Sequence, residues 1–364
     1  MRQNKDIFSK KLSDRNIFDP SSNEGRLYEK RLIRFFSREF KTLQTHPLSI
    51  EELGISTSNG PMMEETEAVM EDHYDEQQEF FFSFLDTRYR AYSMAYYGAK
   101  PNDIIESTAT LEEAQYEKFR LIAERAQIKG NERIFNIGCG FGSLETFLLN
   151  EFPNIEIVGI TPSKVQISHL KKRQQNATDP LNGKRFTLIE GSFCRVSEEL
   201  MGLGSYDLVI SLGVLEHALN LRHLMQKISR LLVPHGRTFH HLITSQITIP
   251  KFLDPSKTKI GLYFPGGRVW PHNELARHTE HFELVDSWFI NGLNYWRTLD
   301  EWHRRFWNSI PSLYHRFFDE EAIIHWNNYF YLCKAVFAPF EGTFYGNSHY
   351  LFSKRSQPSI YSTP

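Results

Sequence analysis

The 364-residue chain has little cysteine, no long apolar run and no excess of either charge, and each shortage removes a class of function. Three cysteines, Cys139, Cys194 and Cys333, are too few for a disulfide framework or a cysteine-rich zinc cluster. No stretch approaches the roughly 18 consecutive apolar residues that a membrane-spanning helix needs. Lysine plus arginine (42) almost balances aspartate plus glutamate (44), giving a net charge of −2. A general nucleic-acid binder would carry a basic excess, so no nucleic-acid partner is expected. Residues 1–15 are polar and lack the apolar core of a signal peptide, so the expected address is cytoplasmic. Internal repeats and low-complexity tracts are absent from the sequence. What is plentiful is aromatic: 29 Phe, 16 Tyr and 6 Trp make up 14% of the chain, and a fold must place them.

Residues 1–25 are polar and aperiodic and read as a flexible tail. Tyr28, Leu32, Phe36, Phe40 and Leu43 then recur at helical spacing, with Ile33 beside them and Pro47 beyond the end. Arg26, Lys30, Arg31, Arg34, Arg38 and Lys41 occupy the remaining surface. A basic amphipathic helix over residues 26–44 can touch a membrane peripherally; docking on the parent domain is the plainer alternative. From Glu51 to Asp86 there is no Lys or Arg while acidic residues accumulate, the pattern of a solvated face or linker. That stretch ends in Phe80-Phe81-Phe82-Ser83-Phe84-Leu85, too apolar to stay in water. Residues 26–109 thus read as a helical appendage or lid.

From residue 110 strands and helices alternate. Thr110-Leu111-Glu112-Glu113 has capping-box spacing and starts a helix that runs to about Gln127. Strands are expected at 133–137, 155–160, 185–189, 206–212 and 238–244, with helices at 144–150, 163–173 and 222–232. Such βαβ crossovers imply a parallel sheet covered on both faces, an α/β fold of the Rossmann-like kind. Past Thr244 the parallel pattern stops. Phe264-Pro265-Gly266-Gly267 makes a turn, Glu283–Phe289 returns as a strand and His349–Phe352 is the last. Between these lies a helical insertion at about 290–340. Its Tyr295, Leu299, Trp302, Phe306 and Ile310 fall at helical steps, and Phe317, Phe318, Ile324, Trp326, Tyr329, Phe330 and Tyr331 follow.

The segment Asn136-Ile137-Gly138-Cys139-Gly140-Phe141-Gly142 follows the first strand and opens a helix. Glycines there let a ligand reach the main chain, and the helix N-terminus offers free N–H groups. The G-x-G-x-G spacing is tighter than the G-x-G-x-x-G of dinucleotide binders and suits a nucleoside bearing an amino-acid tail. On size alone, Cys139 reads as a small filler of this turn.

These residues resemble the S-adenosylmethionine-dependent methyltransferases of class I fold, and more narrowly the cyclopropane fatty acid synthase group with its mycolic-acid-modifying members. The coclaurine-type N-methyltransferases are more distant. The resemblance rests on blocks in order over about residues 70–355. They are His73-Tyr74-Asp75, Phe84-Leu85-Asp86, Tyr92-Ser93-Met94-Ala95-Tyr96, Leu111 to Gln115, Asn136 to Gly142 and Gly159-Ile160-Thr161-Pro162-Ser163 with Gln166. Further on come Gly213-Val214-Leu215-Glu216-His217, Phe264 to Gly267 and Thr298-Leu299-Asp300-Glu301-Trp302. The family fold implies a mostly parallel seven-stranded sheet, with the methyltransferase domain over 110–364 and an acceptor lid in the insertion.

Carried over by position, Tyr92 and Ser93 close over the cofactor, while Gly138, Cys139, Gly140 and Gly142 meet its methionine portion. Thr161 and Gln166 hold the ribose. Ser192, where the family often has aspartate, falls at the adenine with Phe193 beside it, and Asn136 also replaces an aspartate. The cyclopropane synthases hold a bicarbonate as base with a Cys, a Glu, a His with a nearby amide, and a Tyr. The matching positions here are Met94, Glu216, His241 with Ile243, and Tyr329. Met94 departs from that set because a thioether cannot donate, which favours plain methyl transfer over ring closure. The N-methyltransferases place a glutamate three positions before the Glu-His pair, where this chain has Gly213; His217 could still act as base alone.

The implied reaction is methyl transfer from S-adenosylmethionine to a carbon of an unsaturated, lipid-like acceptor, with bicarbonate as a second expected ligand. N- or O-methylation of a hydrophobic metabolite is the alternative on the same scaffold, and a cofactor-binding subunit without turnover is a third. His240 and His241 alternate on a strand, so only one can face the cleft. The aromatic segments 80–84, 92–97 and 295–331, if they converge, would wall an apolar acceptor cavity.

Overall fold

The computed structural model describes residues 17–45, 60–63, 78–246, 251–252, 261, 263, 267–314, 316 and 319–356. Most of the acidic stretch, the block His73-Tyr74-Asp75, the turn residues Phe264-Pro265-Gly266, Phe317, Phe318 and the first sixteen residues lie outside them.

Thr110 opens helix α4 (Leu111–Arg125) with both bonds of a capping box in place, its side chain accepting from Glu113 N–H and Glu113 reaching back. Five parallel strands follow: β1 (Arg133–Ile137), β2 (Glu156–Thr161), β3 (Phe186–Glu190), β4 (Tyr206–Leu212) and β5 (Leu232–Ser245). They pair in the order β3-β2-β1-β4-β5. Helices α5 (Ser143–Glu151), α6 (Lys164–Gln175), α7 (Glu198–Met201) and α8 (Leu221–Leu231) fill the connections. β1 and β2 are buried along nearly their whole length because helices cover both faces, so they read as continuous apolar runs. The strand order reverses between β1 and β4, and the crevice at their carboxyl ends is where such sheets bind ligands.

β9 (Tyr345–Lys354) runs antiparallel to β5, and β8 (Phe282–Asn291) antiparallel to β9. One correction applies to the sheet. Among the described residues it has nine strands rather than the seven expected, because two short strands extend it beyond β5, the first being β7 (Arg268–Pro271), which pairs with Thr244 and Ser245 of β5. β4 stops opposite His241, so the last residues of β5 need another partner for their backbone groups. Four residues ending in proline carry no usable period, which is why β7 is silent in the sequence. The two-residue β6 (Lys251–Phe252) pairs with β7.

Three more elements build the wall above the sheet. Helix α1 (Asn23–Thr45) docks against the insertion, which is formed by α9 (Leu293–Leu313) and α10 (Glu320–Phe337). Phe40 of α1 is buried; its ring stacks on Phe344 at 4.4 Å and meets Tyr345 edge-on at 4.9 Å. Lys334 of α10, fully buried, holds α1 by an ion pair 2.5 Å from Glu29 and α9 by one 3.0 Å from Asp300. Trp296 Nε1–H donates to the other Glu29 oxygen at 2.7 Å. The docking alternative for this helix is therefore met on its inner face.

Short helices α2 (Gln78–Phe84) and α3 (Pro101–Glu106) lead into the domain. The Phe80–Phe84 run is core: Phe80 packs on Trp326 at 4.3 Å, and Phe84 on Phe330 at 5.4 Å and Trp302 at 5.7 Å. Arg305 of α9 grips Glu112 of α4 with two bonds of 2.9 and 2.8 Å, and that bond holds the Glu112 carboxyl down to about 2. Its folded value lies below the unfolded one, so this contribution to stability is present above about pH 4.5 and lost as pH falls toward 2. Acid titration of Glu112→Gln is expected to show a shallower loss of stability over that range than the parent chain.

Candidate active site

The glycine turn fits a ligand that approaches the main chain. Gly138, Gly140 and Gly142 have φ of +74°, +58° and +78°, a region that glycine enters without strain. A Cβ on Gly138 would lie 2.5 Å from a Val214 methyl, and one on Gly142 would meet Leu170 and Leu181 at 2.8 and 2.9 Å. In front of Gly140 there is open space, so the loop presents backbone to whatever lies there. The Gly138 and Cys139 amides both donate to Ile160 O, tying the turn to the end of β2. Cys139 is buried against Gly159, and burial pushes its thiol far up, in keeping with a filler.

The other positions expected to meet the cofactor lie at or just beyond the carboxyl ends of β1, β2 and β3. Thr161 Oγ1–H donates to Gln166 Oε1 at 2.6 Å, so these two fix each other at the end of β2. Ser163 caps α6 through the Gln166 amide. Ser192 Oγ accepts from the Cys194 amide at 3.2 Å. Phe193 sits in the core, its ring 6.1 Å from Phe135 with the Lys227 ammonium 5.1 Å from its centre. Asn136 points inward and donates to Glu145 Oε1 at 2.6 Å; burial pushes that carboxyl up to about 7.

Beside this crevice lies a cavity with about 1140 Å³ of empty volume, partly open to solvent. It is lined by Tyr92, Ser93 and Met94 from the segment before α4, by Gly213, Glu216 and His217 after β4, and by His241 and Ile243 of β5. Tyr295, Tyr329 and Phe337 come from the insertion, and Phe36 and Phe40 from α1. The structure thus brings together all four residues expected to carry the chemistry: Glu216, His217, His241 and Tyr329. Of the three aromatic segments, Phe80–Phe84 packs behind the wall instead of lining it. Trp302 also stays in the core, stacked at 5.3 Å on Tyr92, which does line the cavity.

Local structure explains each placement. Asp86 is buried and accepts from the Tyr89, Arg90 and Ala91 amides, which bends the chain so that Tyr92 and Ser93 reach the cavity. A 3₁₀ turn at Leu215–His217 follows β4, braced by Trp270 Nε1–H donating to Leu215 O at 3.0 Å. His241 faces the cavity while His240, on the other face of β5, bonds Ser211 and Thr238. Gly213 has φ +67° with nothing near its missing Cβ, so the place of the N-methyltransferase glutamate is open space.

Electrostatics separates the candidates. Burial pushes the Glu216 carboxyl up to about 7, partly offset by the Ile243 amide. His217 is pushed down to about 4 by burial and by the nearby Arg268 charge. His241 falls to about 3 through burial, with Lys118 and Arg125 adding to it. Burial holds the Tyr329 phenol far above its usual value, and its oxygen lies 3.4 Å from that of Tyr92. Glu216 is therefore the member of the four that titrates near neutrality.

The anion set implied by the resemblance is only partly met. The Ile243 amide is already committed to Glu216 Oε1 at 2.7 Å, and Met94 presents a thioether. Glu216 Oε2 is buried without a hydrogen-bond partner. Sequence reasoning missed Phe36, Phe40, Asn347 and Lys118. Lys118 is buried behind Ser93, donates to its hydroxyl at 2.8 Å, and burial lowers its ammonium to about 7. Helical period signals that α1 has an apolar face, but nothing in it says which cavity that face closes.

A family model described as "Mycolic acid cyclopropane synthetase" matches residues 62–341. The chain is 28% identical over 247 residues to the cyclopropane-fatty-acyl-phospholipid synthase of Escherichia coli, covering 67% of this chain. It is 27% identical over 209 residues to a probable (S)-tetrahydroprotoberberine N-methyltransferase of Papaver bracteatum, 54% of this chain. These matches span 58% and 54% of the two relatives' own lengths. Among solved structures, a coclaurine N-methyltransferase bound to N-methylheliamine and SAH superposes with a TM-score of 0.75 at 22% identity, covering 89% of this chain and 94% of that one. The cyclopropane synthase MmaA2 of Mycobacterium tuberculosis superposes with a TM-score of 0.64 at 22% identity, covering 79% and 98%.

Proposed function

We propose that this chain, which belongs to the mycolic acid cyclopropane synthetase family, methylates a carbon of an unsaturated, lipid-like acceptor held in the cavity beside Glu216. It is an S-adenosylmethionine-dependent methyltransferase. The observation that carries the acceptor reading is the cavity itself, walled by aromatic and aliphatic side chains with one carboxyl titrating near neutrality.

When bound at the glycine turn, S-adenosylmethionine supplies a methyl group already activated by its sulfonium. The protein's work is then to place a nucleophile in line, exclude water and take one proton. Positioning alone is worth roughly 7–11 kcal/mol. An alkene in the cavity gives its π electrons to the methyl carbon; the new C–C bond forms as the methyl leaves sulfur, and the acceptor becomes a carbocation. Ring faces of Tyr92, Tyr295 and Tyr329 can stabilise that cation by about 0.5–2 kcal/mol per good contact. Glu216 Oε2 then receives the proton lost from a neighbouring carbon. No step runs through bicarbonate, because Met94 and the engaged Ile243 amide leave that anion with fewer donors.

Entry of a lipid from a membrane surface is consistent with α1. Its inner face supplies Phe36 and Phe40 to the cavity, while Leu27 and Phe35 are 56% and 55% exposed on the outside. Lys30, Arg31, Arg34, Arg38 and Lys41 are exposed with them. Among the described residues no helix is long and apolar enough to cross a membrane, so the contact would be peripheral. The double variant L27E/F35E is expected to lose most of its sedimentation with anionic phospholipid vesicles while keeping its melting temperature. Unchanged sedimentation rejects the surface role.

N-methylation of a hydrophobic amine is the second reading, favoured by the superposition on the coclaurine enzyme over most of both chains. The open space at Gly213 weighs against its dyad mechanism.

A further inference from the structure

A buried polar chain leads into the cavity, and the methyl-transfer scheme leaves it unused. Arg125 Nη1 lies 3.0 Å from His349 Nδ1, His349 Nε2 lies 2.8 Å from His241 Nδ1, and His241 Nε2 lies 3.1 Å from the Asn347 side-chain amide. His241, His349 and Asn347 are all buried.

The donor inventory fixes every hydrogen in this chain. A guanidinium only donates, so His349 Nδ1 accepts and the His349 proton sits on Nε2. That proton points at His241 Nδ1, which must be bare, and His241 therefore carries its hydrogen on Nε2. Burial keeps both rings neutral, and the nearby charges, Arg125 and Lys118, are positive and act the same way. The His241 Nε2–H needs an acceptor, and the facing group is the Asn347 amide. Its carbonyl oxygen must then turn toward His241, an orientation that hydrogen-bond partners decide. The NH₂ consequently takes the other amide position, which is buried and has no protein partner, on a residue that lines the cavity.

We propose that Asn347, oriented by the Arg125–His349–His241 relay, donates a hydrogen bond to an oxygen acceptor in the cavity. The recognised chemistry is an anionic or carbonyl oxygen, carried either by a small captured anion or by the acyl head of the acceptor. Asn347 would supply the donor that Met94 and the committed Ile243 amide do not. Arg125 and His349 are positioning residues, acting through His241. The inference rests on the cavity being the acceptor site, but the hydrogen positions stand independently of that reading.

The test uses the full chain, ¹⁵N-labelled, with S-adenosylhomocysteine bound. Nuclear magnetic resonance is expected to show His241 and His349 both as Nε2–H tautomers between pH 5.5 and 8, as the burial and inventory arguments require. An Nδ1–H tautomer at His241 overturns the relay. Sodium bicarbonate is titrated in one arm and methyl octanoate in the other. A shift of the Asn347 amide in the first assigns the captured anion, a shift in the second assigns the acyl head, and a shift in neither overturns the proposal. N347D keeps an acceptor for His241 but loses the donor, so tautomers should persist while binding of the shifting probe weakens at least about tenfold. Equal binding by N347D contradicts the proposal. R125M should leave His241 a mixture of tautomers, and an unchanged tautomer refutes the positioning role. Binding of S-adenosylhomocysteine by the parent chain reports on the enzyme reading separately.

Discussion

Glu216→Gln is expected to lower methyl-transfer turnover by about 10²–10⁴-fold, with S-adenosylhomocysteine binding unchanged. Glu216 lines the cavity, its Oε1 is held by the Ile243 amide, and Oε2 has no hydrogen-bond partner. Burial raises its carboxyl to about 7, so the parent enzyme should gain activity as pH rises through that value and the base ionises. The glutamine variant should lack that limb. Stability has the opposite sign. The folded state binds the Glu216 proton more tightly than the unfolded state does, so stability falls as pH rises from about 4.5 through about 7. Denaturation at pH 5 and pH 8 should therefore show a smaller difference in the variant than in the parent. Glu145, raised to about 7 by the same cause, remains in both chains and cancels in the comparison. A variant with parent-like turnover and pH profile would remove Glu216 as the proton acceptor.

Lys334→Met should cost about 3–5 kcal/mol of stability, measured by urea unfolding, because it leaves Glu29 and Asp300 facing a buried site without their cation. Asp300 retains a partly exposed partner in Arg304 at 2.7 Å, and Glu29 keeps the Trp296 bond. Neither replaces a fully buried ammonium. Adding Glu29→Gln and Asp300→Asn should restore most of the loss, since removing all the buried charges is far less costly than removing one partner. The single variant should also loosen α1, which carries Phe36 and Phe40 of the cavity wall. A loss below about 1 kcal/mol would show that α1 is held by aromatic packing on Phe344 and Tyr345 instead.

Local signals made much of the fold legible. Short apolar runs set between helical segments located β1 and β4 to the residue, and the Thr110 capping box was visible as four letters. The glycine turn announced a ligand loop because glycine enters those backbone angles without strain and leaves the main chain open to approach. Glu216, His217, His241 and Tyr329 were singled out by motif position, and the end of β4, strand β5 and helix α10 bring them to one cavity from segments far apart in sequence. What stayed hidden depends on tertiary neighbours. Arg125 and His349 lie 224 residues apart, and neither has a period or motif that pairs it with the other. The aromatic excess was visible as an amount, but its division between core and cavity wall was not. Phe84 and Tyr92 look alike in sequence and both pack on Trp302, but Phe84 turns against Phe330 behind the wall while Tyr92 lines the cavity.

The most direct test incubates the chain with S-adenosylmethionine and vesicles of unsaturated phospholipid, beside a panel of hydrophobic amines and phenols, and reads product masses. Carbon methylation in the cavity predicts that the lipid acyl chains gain the mass of one methylene while the amines and phenols do not. Gain confined to an amine or a phenol, with the lipid unchanged, would contradict it.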